Sequence, residues 1–361
     1  MQFITKWTPK LITWPPPGLD LSQLAARLTR HLWLSPQEFL EAINALALAQ
    51  WALRASRWWL PPALPGPCRG PKIVYHDASI LVLAFMQTAW QMPYSITLTY
   101  LSNHPKLALA MGFPGDPQGC PRVISQGQYW ERRQALGLLP LLFFMIGLVW
   151  QLVRLGVITG IGLILDTTLL RAWHHADPGA AWIRYRDKPA VFGYKVHTLL
   201  CRDATLPILC LVTPANIRDA ALAIPMLLAS VLLFGFQVGV VYADAAYFEY
   251  EILSFIVQVL GASAAIDYNL RRRGKHFLAT FFFLSQWRRY VAGPRRGIER
   301  HFAWAKRYFG LKYFQCWTYL RVSQYVLLTY CVILGVALAA QRYGRPDLRL
   351  SRAEVLAPPL P

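Results

Sequence analysis

Three acidic residues stand where metal-assisted phosphoryl transfer would need them. Asp166 closes the apolar run GLILD, and Asp244 closes VGVVYAD. Short runs rich in β-branched residues have the pattern of strands buried on both faces. The C-terminal end of such a strand is the edge where open α/β sheets bind ligands. Burying one carboxylate there without compensation is costly, so a pair implies a cation between them. Mg²⁺ suits, because it takes a few carboxylates and keeps positions for water and phosphate oxygens. The third acid, Glu299, is the single one in residues 271–312, a stretch with twelve Lys and Arg. With Pro294 opening a helix, Arg295, Glu299 and Lys306 fall within roughly 40° on one face at about 100° per residue. A carboxylate flanked by two cations fits a metal ligand with phosphate-binding neighbours.

Taken singly, each acid has a plainer reading. Asp166 before Thr167-Thr168 suits a helix cap, Asp244 a turn, and Glu299 an i,i+4 ion pair with Arg295. The three together are the more specific signal. His174, His175 and Asp177 are read as a polar loop ahead of a metal cluster, and Asp219 as a first-turn acid favouring the helix dipole. Arg271, Arg272, Arg273 and Lys275 form an acid-free run suited to phosphate contact. Trp287, Trp304 and Trp317 could stack on frayed bases, but aromatics near helices more often belong to the core.

The elements that must position these residues follow from punctuation and period. A capping box, Ser35-Pro36-Gln37-Glu38, starts a helix in the N-terminal extension of residues 1–59, where a second helix follows Asp20, and residues 60–71 are a proline-rich linker. Between 72 and 155, short helices are expected at Ala78–Gln91, Ser95–Ser102, His104–Met111 and Ser125–Ala135. Tight turns join them as in a helix-turn-helix DNA reader, and Arg122, Arg132 and Arg133 follow. From 156 to 343 the pattern is α/β with a mixed sheet. Strands are expected at Val157–Asp166, Phe192–Cys201, Pro207–Thr213, Val238–Ala243 and Ala262–Asp267. Helices are expected from Asn216, over Phe248–Leu260, and from Pro294; residues 344–361 form a tail.

The 361 residues carry 37 Lys and Arg against 18 Asp and Glu, a formal net charge of +19, with 55% hydrophobic residues. That excess attracts nucleic-acid phosphate or anionic lipid. Three uncharged stretches, Ala135–Val153, Ala220–Ala243 and Val322–Gln341, keep a polytopic membrane protein with basic loops as the rival reading. The breaks at Pro140, Pro225, Gly235 and Gly239 favour helices and strands of a core. Six cysteines show no zinc spacing, and the opening MQFITKWTPK is no secretory leader, so the expected location is reducing and cytoplasmic.

LILDTT, FGYKVH, VTPANIRDA, YADAAYF and RRGIERHFAWAKRYFGLKYF, in that order, resemble the motifs of bacterial insertion-sequence DDE transposases, whose catalytic domain is ribonuclease H-like. Arg295, Glu299 and Lys306 match the family's Arg-Glu-Lys spacing, and Asp166 and Asp244 fall on its two aspartates. Ala292 stands at the family's tyrosine, with Tyr290 the nearest. The interval from Asp244 to Glu299 is too short for the large β insertion of some relatives.

The resemblance implies an all-α region for DNA ends ahead of a ribonuclease H-like mixed sheet. It also implies a catalytic set of Asp166, Asp244 and Glu299 holding two Mg²⁺, with Mn²⁺ able to substitute, and DNA contacts from Arg295, Arg300, Lys306, Arg271, Arg272, Arg273 and Lys275. The implied partner is double-stranded DNA, as inverted-repeat ends and as target, bound by a homodimer at the nucleoid without any membrane. A catalytically dead DNA-binding relic would share every one of these motifs.

Overall fold

The computed structural model describes residues 31–58, 75–115, 120–184, 189–267, 281–312 and 314–358, without the side chains of 281–292 and 294. The capping box forms as expected: Ser35 Oγ accepts from Glu38 N, and Ser35 N donates to Glu38 Oε2, opening α1 (Pro36–Ile43). Asn44, with φ at 53°, turns the chain into α2 (Ala45–Arg57). Then come α3 (Asp77–Trp90), α4 (Tyr94–Asn103), α5 (Pro105–Ala110), α6 (Gln126–Ala135) and α7 (Leu139–Arg154). The boundaries expected for α3 to α6 hold to within about two residues, because proline and positive-φ glycine interrupt the helices where the sequence carries them.

Strands β1 (Gly162–Arg171), β2 (Ala181–Ile183), β3 (Val191–Cys201), β4 (Leu206–Pro214), β5 (Val240–Ala243) and β6 (Ser263–Ile266) form one mixed sheet. Its order is β4-β3-β1-β5-β6, with β2 beside the start of β3. The first three strands are antiparallel, and β1, β5 and β6 run parallel. Between β4 and β5 lie a short 3₁₀ turn (Asp219–Leu222) and α8 (Ala223–Phe234), which Gly235 ends in the left-handed region. After β5 come a 3₁₀ turn (Ala245–Tyr247), α9 (Tyr250–Ser254) and a π turn (Phe255–Val259). Two long helices close the domain: α10 (Phe281–Tyr308) and α11 (Tyr319–Arg342). A short α12 (Arg352–Val355) follows.

Three expectations need correction. β1 begins later and runs past Asp166 to Arg171, because β3 pairs with it up to Arg171 opposite Gly193 and Thr167-Thr168 keep it extended. The helix expected from Asn216 starts at Asp219 as a 3₁₀ turn and becomes α-helical at Ala223. Pro294 lies inside α10 rather than at its first turn.

Period-2 alternation assigns the faces of the sheet. Ile164 of β1, Leu200 of β3, Tyr242 of β5 and Ala265 of β6 pack against Ile298 and Phe302 of α10. Thr198 Oγ1 on the same face meets Tyr330 OH of α11 at 2.7 Å. Leu163, Leu165, Leu199 and Val241, which alternate with these, are buried on the opposite face. α11 is buried on almost every side, against α3 and α7 of the helical region and β4 of the sheet. It is long and apolar enough to cross a membrane, but 94% of its apolar window is buried within the protein, the position of a core helix.

Candidate active site

Asp166 shares the parity of Ile164, so its side chain leaves β1 on the face that α10 covers. Parallel pairing of β1 with β5 stops at Ile164 opposite Tyr242, and Asp244 follows the last residue of β5. Both aspartates therefore stand just beyond the C-terminal edge of the parallel strands, although Asp166 is mid-strand in β1. Thr167 N donates to Asp166 Oδ1 at 2.7 Å, and Ala246 N donates to Asp244 Oδ1 at 2.9 Å, where Asp244 caps its 3₁₀ turn.

Burial dominates both carboxyls. It pushes Asp166 up to about 7 despite the Thr167 N–H, with Asp244 and Asp219 raising it and Arg295 lowering it. Asp244 is also raised, mainly by burial, with Asp219 and Asp267 adding to the effect while the Ala246 N–H and Arg295 oppose it. Two desolvated carboxylates, with Asp219 raising the proton affinity of both and Asp244 raising that of Asp166, are a donor set short of positive charge, and a divalent cation fits that need. Among the described residues, no three His, Cys, Asp or Glu side chains already converge on one ion position.

Arg295 links the pair to Glu299. Its guanidinium lowers both aspartates electrostatically, its Nε is buried with no hydrogen-bond partner, and its Nη2 lies 3.5 Å from Glu299 Oε1. The i,i+4 pair expected for Glu299 thus exists and borders the aspartates; the Glu299 side chain is 62% exposed. Lys306, on the same helix, donates to Thr168 Oγ1 at 2.6 Å and Leu169 O at 3.1 Å, fastening α10 to β1 two residues beyond Asp166. Burial lowers its ammonium pKa. Arg300 is exposed. Arg271, Arg272, Arg273 and Lys275 lie outside the described residues, as does the Tyr290 side chain.

The surroundings include groups whose role at the site composition and spacing did not announce. Lys195 on β3 is buried, and its Nζ meets Asp219 Oδ1 and Ile217 O, each at 2.7 Å. Asp219 does open a helical turn, as expected, but it is also part of this buried pair and acts on Asp166, Asp244 and Tyr247. His197, two residues along β3, donates or accepts at Thr213 Oγ1 over 2.9 Å, and burial holds its imidazole down at about 4. Arg218 pairs with Glu249, tying the loop before α8 to the segment after Asp244. A lysine in an apolar strand was the available signal, since a buried ammonium needs a partner.

The His174, His175 and Asp177 loop is engaged elsewhere. Asp177 is buried and accepts from Gly179 N and Thr318 N, His174 packs on Trp317, and His175 packs on Phe192. Trp304 is half-buried against Phe309 and His301, a core position.

The antiparallel-then-parallel mixed sheet, flanked by helices and carrying two desolvated aspartates at its parallel edge, defines a ribonuclease H-like α/β domain behind an all-α region. Residues 159–334 match the family model described as "Transposase DDE domain". No curated protein matches the chain by sequence. Among solved structures, the chain is similar to the piggyBac transposase synaptic complex with hairpin DNA, at 9% identity and a TM-score of 0.43 over 90% of this chain and 80% of that one. It is also similar to a pre-cleavage Mos1 transpososome, at 11% identity and a TM-score of 0.21 over 85% of this chain and 97% of that one.

Proposed function

We propose that the protein binds double-stranded DNA at transposon ends and catalyses strand cleavage followed by strand transfer into target DNA, as a homodimer on DNA at the nucleoid. The observation that carries the chemistry is the pair of desolvated aspartates bordered by Arg295 and, through it, Glu299. Asp166, Asp244 and Glu299 would hold Mg²⁺, or Mn²⁺ in its place. When bound, the metal supplies Lewis-acid activation of the attacking oxygen and charge stabilisation of the leaving 3′-oxygen.

The chain's own residues set the conditions for that chemistry. Arg295 favours the ionised forms of both aspartates and pairs with the Glu299 carboxylate. Lys306 fixes the register of α10 on β1 with two of its three N–H donors, and the third is available to a DNA phosphate. Arg300, exposed on α10, offers a further cation to phosphate, and the acid-free 271–275 run adds positive charge to the chain. The helical region of residues 72–155 would engage the DNA ends.

Incubating labelled DNA from the element's own end with Mg²⁺ or with EDTA tests the proposal. The wild type should nick in a metal-dependent way and Asp244→Asn should not, with end binding unchanged. Nicking by a folded Asp244→Asn protein, or the absence of nicking by a DNA-binding wild type, would overturn it.

A further inference from the structure

A cleft of about 490 Å³ opens between the helical region and the C-terminal part of the catalytic domain. The end of α3 and the start of α4 form one wall, α6 a second, and the chain from Gly310 into α11 the third. Two guanidiniums line it, and among the described residues no carboxylate does. Arg133 donates through Nη1 to Gln87 Oε1 at 2.9 Å and Tyr94 OH at 3.0 Å. Arg321 donates through Nε and Nη2 to Gln134 Oε1 at 3.2 and 3.0 Å. Neutral acceptors thus aim both groups without cancelling their charge, and each keeps N–H donors for a ligand. Each also lies over an aromatic ring: Arg133 is 5.5 Å from the Tyr94 centroid and Arg321 is 4.7 Å from that of Trp130. The Trp130 indole is 44% exposed.

Fixed guanidiniums without an acidic partner, beside an open indole, suit a phosphodiester flanked by a nucleoside. The cleft also adjoins the catalytic helix, because Gln91 Nε2 at its wall donates to Tyr308 O, the last residue of α10, at 3.0 Å. From Arg295 to Tyr308 the helix runs about 20 Å, or about six base pairs of duplex. The geometry points to a second DNA-binding site: Arg133 and Arg321 hold backbone phosphates some six base pairs inside a DNA end placed at the aspartates, and Trp130 packs on the nucleoside between them. This site rests on the proposal that the protein binds DNA, and is independent of the cleavage chemistry.

The test is equilibrium binding, in EDTA, of a fluorescent duplex of about 30 base pairs over a range of salt, with the full chain. Arg133→Gln/Arg321→Gln should weaken binding by at least about tenfold and reduce the slope of log K against log salt by about 2, whereas Arg133→Lys/Arg321→Lys keeps most of the slope. Trp130→Ala, which touches neither fork's hydrogen bonds, should weaken binding by about tenfold at unchanged slope. An unchanged slope in the folded Gln pair, or wild-type affinity in Trp130→Ala, would overturn the site. Inorganic phosphate protected by Arg133 and Arg321 without any change in DNA affinity would overturn it in favour of a small-anion pocket. A wild type that binds no duplex at low salt would overturn this site and the proposed function together, while normal binding with the slope unaltered removes this site alone.

Discussion

Replacing Asp166 by Asn isolates the cost of holding a carboxylate where no metal balances it. Burial moves this group from 3.8 to about 7, so between those values the folded protein binds a proton that the unfolded chain releases. Stability of the metal-free wild type therefore falls as pH rises through that window, and the full penalty approaches about 4 kcal/mol above it. From about pH 5.5 to about pH 8.5 the wild type should lose about 2 kcal/mol that Asp166→Asn does not, whatever the amide's own fixed effect. The amide oxygen can still accept from Thr167 N, which keeps the local backbone bond. Urea unfolding of both proteins in EDTA at the two pH values reads this difference directly, and groups such as His301 cancel in the comparison. Mg²⁺ at about a hundred times its dissociation constant should then restore about 2.7 kcal/mol to the wild type and little to the variant. An equal gap between the two proteins at both pH values would refute the reasoning, because Asp166 would be ionised at an ordinary pKa and the demand for a cation would vanish.

Glu299→Gln should leave DNA binding intact and reduce metal-dependent nicking by more than the roughly 100-fold typical of outer-shell changes, measured on labelled DNA in single turnover. Lys195→Met should destabilise by about 3–5 kcal/mol by leaving Asp219 beside two other acids, and adding Asp219→Asn should recover part of that loss in the same urea assay. His301 is buried with its imidazole held down at about 4 by burial, so its contribution is complete above about pH 6.5 and is lost as pH falls through 4. His301→Phe should flatten that acid limb by roughly 3 kcal/mol in a pH series of thermal unfolding.

How much of this was legible in the sequence depended on the distance over which each signal acts. Helices α3 to α6 were bounded by proline and glycine within a few residues, so local sterics sufficed. β3 and β4 showed in their own apolar runs. The far half of β1 did not, since Thr167 to Arg171 are extended only because β3 lies alongside. Pro294 misled because a proline favours the first turn of a helix, whereas here a preceding segment continues the helix through it. Asp166 and Asp244 both feel Arg295, and Arg295 pairs with Glu299, while the expected convergence of all three acids on one ion position is not formed among the described residues. Lys195 with Asp219, and Arg133 with Arg321, are pairings across 24 and 188 positions of chain, created by folding and carried by no local period.

The position of α11 bears on synthesis. It is the surface on which both the early helices and β4 rest, and beyond it the chain returns to the first described turn, where Leu34 N donates to Val355 O and Ala357 N to Leu34 O. A growing polypeptide thus has all its described sheet strands before it has the helix that seals them, and neither half can complete its interior until α11 has been made. Products ending before α11 would keep Asp166, Asp244, Glu299 and the basic helix yet expose the apolar sides of α3 and α7. They would be substrates for proteolysis, so that a stably folded product depends on synthesis proceeding through α11.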